Sequence, residues 1–151
     1  MQRHLPSLVG SLLMAASPFL PWLRLGAVSI PGAPDPAGLF VAGVGGLGVL
    51  LSALAIARRK RVEPWLMLAG LAGLTTLVVV WMTGPATIAD RALARAEAIA
   101  LVDQVAVQPV PPVQHGIGLV LGLLGAALVA GQGISMAWRA SASAPRVDSD
   151  R

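Results

Sequence analysis

Hydrophobic residues fall in four long blocks instead of alternating with polar ones along the chain. The blocks run from Leu5 to Leu23, Ala37 to Ala57, Pro64 to Thr83 and Gly116 to Trp138. None contains Asp, Glu, Lys, Arg or His. Each has about 19–23 residues, and roughly 20 helical residues cross a hydrocarbon core of about 30 Å. In lipid the backbone must satisfy its own hydrogen bonds, so each block is expected to be a helix. The pattern predicts an all-α fold: an integral membrane four-helix bundle over residues 1–139, with an extra extracytoplasmic interfacial helix between spans three and four. Residues 140–151 are polar and small and are expected to form a flexible cytoplasmic tail.

The segments between the blocks carry start and stop signals. Asp35-Pro36 reads as a helix start, a side-chain cap followed by proline at the first helical position. Glu63-Pro64 reads in a similar way. Gly84-Pro85 is expected to end span three. Thr87 and Asp90 then match capping-box spacing, and an Ala-rich stretch from Ile88 to about Val107 is made of good helix formers. That stretch is expected to lie along the outer interface or to cap the bundle. Gln108 to Val113 holds three prolines and reads as a polyproline-like strap into span four. Pro18 and Pro21 are expected to bend or fray span one. That span has the look of a signal peptide. However, Ala15-Ala16-Ser17 runs straight into Pro18, a poor cleavage site, so the span is expected to be retained.

Charge gives the blocks a direction. Arg58, Arg59, Lys60 and Arg61 lie between spans two and three, and the positive-inside rule puts them in the cytoplasm. Both termini then fall inside. Eight basic residues lie on that side and three, Arg24, Arg91 and Arg95, on the other. The net charge of +4 therefore reads as topology and not as a nucleic-acid footprint. Arg58 to Arg61 are also candidate contacts for anionic lipid headgroups. Tryptophan favours the membrane–water interface. Trp22 and Trp81 are accordingly placed at the outer interface, Trp65 and Trp138 at the inner one. Trp65 and Trp81 are sixteen residues apart, about 24 Å along a helix.

Composition narrows the functional classes. The chain of 151 residues is 56% hydrophobic and only 12% charged, with mean hydropathy +0.76; soluble domains carry about 25% charged residues. Cysteine is absent, which removes thiolate chemistry and disulfides. His4 and His115 are predicted on opposite sides of the membrane. Asp90 and Glu97 are two helical turns apart, about 10.5 Å in rise, too far to share a proton or a metal. The glycines of Gly43 to Gly48 lie inside a span and not between a strand and a helix, so they form no dinucleotide motif. No catalytic, metal or cofactor site is expected, and the chain is not expected to be an enzyme.

Small residues give the spans contact faces. Gly118, Gly122, Ala126 and Ala130 recur every four residues in span four, and Gly45 and Gly48 stand in span two. Such spacing lets helix backbones approach closely in lipid. The layout resembles small four-span bacterial membrane proteins of unassigned function, including the tryptophan-operon-associated membrane protein type. The resembling residues are Pro18-Phe19-Leu20-Pro21-Trp22, the basic turn Ala57 to Arg61, the Ala-rich stretch around Asp90 to Glu97, Gly122 to Ala126, and Trp138-Arg139. The resemblance implies no catalytic residues.

The function expected is a non-enzymatic accessory or scaffolding subunit of a bacterial inner-membrane complex. The alternative is a small homo-oligomeric transporter or channel component. Partners expected are membrane lipids and either a membrane-protein partner or further copies of the chain, with no nucleic acid. Reporter fusions at residues 60 and 100 are expected to report opposite sides of the membrane, with residue 60 cytoplasmic. The same side for both would overturn this topology.

Overall fold

A computed structural model of the chain describes residues 5–58 and 62–142. Four helices carry the structure: α1 (Leu5–Ala16), α2 (Pro36–Arg58), α3 (Glu63–Asp103) and α4 (Ile117–Ala142). Three short strands join them: β1 (Pro21–Leu25), β2 (Val28–Pro31) and β3 (Val113–His115). Three helical segments are long and apolar enough to cross a membrane, Pro36–Ala57, Pro64–Asp103 and Ile117–Met136. The first apolar block departs from the span expected of it. Its α-helix has 12 residues and gives way to a 3-10 turn at Ser17–Phe19. Twelve residues rise about 18 Å, short of a hydrocarbon core. Pro18 and Pro21 set that end, because proline supplies no N–H to continue the ladder.

The all-α expectation is corrected by a small antiparallel sheet, in the order β2-β1-β3. Leu25 faces Val28 across a two-residue turn, Gly26-Ala27. Gly26 has a φ of +58°, which a glycine at the first central position of a hairpin turn adopts without steric penalty. β3 then adds to the other edge of β1, with Leu23 opposite His115 and Leu25 opposite Val113. The strap at 108–113 thus leads into a strand before α4 begins.

A second correction concerns α3. The separate outer helix expected at about 88–107 is the continuation of the third span, one helix of 41 residues with Pro85 inside it. Thr87 does not cap a new helix. Its hydroxyl donates to the Gly84 carbonyl at 2.9 Å. The helix ends at Gln104, whose left-handed backbone (φ 53°) lets the N–H of Val105 reach the Ala100 carbonyl at 3.1 Å. At its start, Val62 and not Glu63 is the cap residue. Asp35, by contrast, caps α2 as its spacing predicts: its Oδ1 accepts the Ala37 N–H at 3.0 Å.

The helices meet on small residues. Along α1 and α2, Gly45 lies against Ala15, Gly48 against Ser11, and Ser52 Oγ donates to Ser7 Oγ at 3.3 Å. Along α1 and α4, Gly10 and Gly125 face each other backbone to backbone, and Gly122 and Gly118 lie against Ser17. Along α3 and α4, Gly70 meets Ala130, Gly73 lies against Met14 and Ala126, and Gly133 meets Met67. In each pair the partners run in opposite order, so neighbouring helices are antiparallel. All six residues expected on packing faces (Gly45, Gly48, Gly118, Gly122, Ala126 and Ala130) contact other helices of this chain. Larger apolar residues such as Leu50, Leu68, Val79 and Leu124 stay exposed around the outside. Soluble proteins rarely leave such broad apolar surfaces uncovered.

Two adjacent glycines of α2 separate contact from composition. A Cβ at Gly45 would come within 3.0 Å of Ala15 backbone and side-chain atoms, whereas one at Gly46 would meet nothing within 4 Å. Gly45→Ala is therefore expected to destabilise by about 1–3 kcal/mol, the usual penalty of overpacking. Gly46→Ala should change stability by less than about 1 kcal/mol. Unfolding of the two variants in detergent micelles is the comparison; equal behaviour would refute the seam between α1 and α2.

Candidate functional site

The sheet sits over one end of the helices, and the polar groups of interest gather there. Its geometry begins with three prolines. In a helix, the N–H of each residue serves the carbonyl four positions earlier, so a proline there leaves one carbonyl unserved. Four residues before Pro18 is Met14, whose carbonyl accepts the Ser17 hydroxyl at 3.1 Å. Pro21 opens β1 and not a helix; the Ser17 carbonyl accepts both the Leu20 N–H at 3.1 Å and the Trp22 indole N–H at 2.8 Å. Four before Pro85 is Trp81, and His115 Nε2 lies 3.1 Å from its carbonyl oxygen. A carbonyl only accepts, so that nitrogen carries hydrogen and donates.

This arrangement places two of the four tryptophans. Trp22 is only 3% exposed and joins a core with Met14, Val41, Leu77, Leu119 and Ala126. It turns inward, with its ring against Gly32, because its N–H has the Ser17 carbonyl to bind. Its burial is a departure from the interfacial ring expected of it. Trp81 is stacked on the His115 imidazole, with ring centroids 3.9 Å apart and planes 9° apart. Trp65 and Trp138 present their rings outward, 62% and 77% exposed. Arg58 is the last residue of α2, and Arg59, Lys60 and Arg61 lie outside the described residues.

The stacked and hydrogen-bonded Trp81–His115 pair forms a clasp between α3 and β3, and near it lies a cavity of about 200 Å³. One wall is the hairpin and the approach to α2: Trp22, Leu23, Ile30, Pro31, Gly32 and Asp35. The other is a single face of α3, with Val80, Thr83, Gly84, Thr87, Ile88 and Arg91 at spacings of three and four residues. Apolar side chains share the lining with the polar groups of Asp35, Thr83, Thr87 and Arg91. Asp35 uses Oδ1 for its cap, and its other oxygen has no partner among the described residues. The hydroxyls of Thr83 and Thr87 donate to the Val79 and Gly84 carbonyls and keep lone pairs to accept. Asp35 and Arg91 are both exposed and form no ion pair with each other, and Arg91 has no ion-pair or hydrogen-bond partner among the described residues. Among those residues, no three His, Asp or Glu side chains come close enough to hold a metal ion. Asp90, Glu97 and Asp103 are exposed on the far stretch of α3.

Sequence reasoning did not pair Asp35 with Arg91, which are 56 positions apart and meet only because the hairpin folds toward α3. It also missed the link between His115 and Trp81. Pro85 is a signal for that link, since it marks the Trp81 carbonyl as one that needs a donor. No family model, curated protein or solved structure matches the chain. The resemblance to small four-span membrane proteins therefore rests on this chain's own residues.

The clasp has a reciprocal test. His115→Ala removes both a hydrogen bond and a stacked ring, an expected loss of about 1–2 kcal/mol. Pro85→Ala restores a backbone N–H to the Trp81 carbonyl. In that background the His115→Ala penalty should shrink by about 1 kcal/mol. Denaturant unfolding of the four proteins measures the coupling, and strict additivity would mean that the imidazole does not serve that carbonyl.

Proposed function

We propose that the protein is a non-enzymatic subunit of a bacterial plasma membrane, acting as an accessory or scaffolding component of a larger complex. In this reading α1 completes a four-helix bundle with the three spanning helices. Its shortness is tolerable because its irregular end lies against protein and not lipid. The carbonyls that the turn releases find donors: Ser17 takes Trp22 Nε1, and Pro18 takes the Ala33 N–H at 2.8 Å. The sheet end is the extracytoplasmic side, and the end of α2 at Arg58 is the cytoplasmic one. The tail and both termini are cytoplasmic. The basic turn faces anionic headgroups, and Trp65 and Trp138 mark the inner interface.

The continuation of α3 carries the scaffolding half of this reading. Residues 85–103 add about 28 Å of helix, and Leu101 and Val102 near its end are each 81% exposed. Ile99 and Leu93 are about half exposed on the same stretch. The small-residue faces are already occupied within the chain, so this uncovered apolar stretch is the surface offered to a second membrane protein. The occupant is a protein with an apolar patch at the extracytoplasmic interface.

The test uses the whole chain purified from its native membrane. Leu101→Asp with Val102→Asp is expected to leave folding within about 0.5 kcal/mol, as exposed substitutions do, and to release a stoichiometric partner. A wild-type chain that purifies as a lone homo-oligomer and carries solute flux in liposomes would overturn the scaffolding reading in favour of a transporter.

A further inference from the structure

The cavity at the sheet end holds two opposite charges that do not neutralise each other. Arg91 projects from α3 and Asp35 from the start of α2, and both line the same space without forming an ion pair. An unpaired guanidinium favours carboxylate or phosphate, which it can grip through two N–H groups at once. The other oxygen of Asp35 and the lone pairs of the Thr83 and Thr87 hydroxyls are acceptors. Three acceptors around one space match an ammonium group, which offers three donors and no acceptor. Trp22, Ile30, Val80 and Ile88 supply apolar side chains to the same lining. At about 200 Å³ the cavity falls below the range of about 300–1,000 Å³ typical of drug-sized ligands. It suits a headgroup-sized fragment.

We infer that this cavity is a binding site for a small zwitterion that carries a primary ammonium near a phosphate. Arg91 takes the phosphate, while Asp35, Thr83 and Thr87 take the ammonium. The same chemistry has two sources, the headgroup of an ethanolamine phospholipid and free phosphoethanolamine. A choline headgroup lacks the N–H donors the acceptors need, and a glycerol headgroup lacks the positive charge. The site does not use the Leu101–Val102 surface, so failure of partner docking there leaves it standing. Only the lipid source rests on the membrane placement proposed above.

Two measurements on the full-length protein test this. Native mass spectrometry of protein micelles with equimolar ethanolamine, choline and glycerol phospholipids reads lipid retention. Calorimetric titration with phosphoethanolamine in uncharged detergent reads the free ligand. The wild type should retain the ethanolamine lipid about tenfold over the other two, the worth of one charge-assisted hydrogen bond, or bind free phosphoethanolamine. Asp35→Asn should abolish that preference, and Arg91→Ala should weaken retention of all three lipids and binding of phosphoethanolamine by about tenfold. Asparagine caps helices as well as aspartate does, and Arg91 has no partner to lose among the described residues, so both variants should keep the wild-type melting temperature. Arg91→Lys, which retains the charge, should recover part of the binding and serves if Arg91→Ala does not fold. Retention in the lipid arm alone assigns a bilayer source, and binding in the free arm alone assigns a soluble one. A folded wild type that shows neither, or folded variants that bind as the wild type does, overturns the site.

Discussion

A proline in an apolar helix strands a carbonyl where water is not available to serve it. The sheet end of this protein is organised around that constraint. Met14 and Trp81 each stand four residues before a proline and receive a side-chain donor at 3.1 Å, and Ser17, already bonded by the Leu20 N–H, takes the Trp22 indole as a second donor at 2.8 Å. The donors come from successively greater sequence distance: Ser17 to Met14, Trp22 to Ser17, and His115 to Trp81 across 34 positions. The first two turn the chain out of α1 and into β1. The third needs β3 beside β1, since that pairing brings His115 to α3. The sheet is thus the means by which a proline-bearing helix keeps its backbone satisfied.

The other half of the architecture follows from close approach. α1 is too short to contribute much apolar area, and it compensates by bringing backbones together. Gly10 lies on Gly125, Gly45 on Ala15, and Gly48 leaves a notch for Ser11. In lipid there is no hydrophobic drive between helices, so dispersion at these seams and the Ser7–Ser52 hydrogen bond carry the association. The order of contacts also sets register. Sliding α1 by one turn would bring side chains onto the Gly10–Gly125 crossing, where a single added methyl group already overlaps backbone atoms.

The helices after the first block were legible because apolar blocks of that length allow little else, and the Asp35 cap and the Gly–Ala face of α4 are local patterns. The sheet was not legible. Its strands have five, four and three residues, too few for alternation to register, and they lie in segments whose prolines and glycines read as loop. The continuity of α3 was hidden by Gly84-Pro85, which locally reads as a stop. The Trp81 carbonyl that Pro85 leaves open is served by an imidazole from a strand 30 residues later, and no window of local sequence contains it. Trp22 was misplaced for a related reason. Interfacial preference is a property of the ring, whereas its burial depends on the Ser17 carbonyl within reach of its N–H and on the missing side chain of Gly32.

The clasp and the cavity are mechanically one object. Val80 and Thr83 line the cavity before Pro85, and Thr87, Ile88 and Arg91 line it after, so the wall straddles the one point in α3 where the hydrogen-bond ladder is interrupted. A helix bends most readily at such a point. His115 holds that point from the side by bonding the Trp81 carbonyl and stacking on its ring. The opposite wall, with Trp22 and Gly32, is tied to the same sheet through the Gly116 N–H on the Trp22 carbonyl at 2.7 Å. Both walls are therefore referenced to β1 and β3. The separation of Asp35 and Arg91 is set by the sheet and not by either helix alone. Loosening the clasp would move Arg91 relative to Asp35, and with it the continuation of α3 that carries Leu101 and Val102.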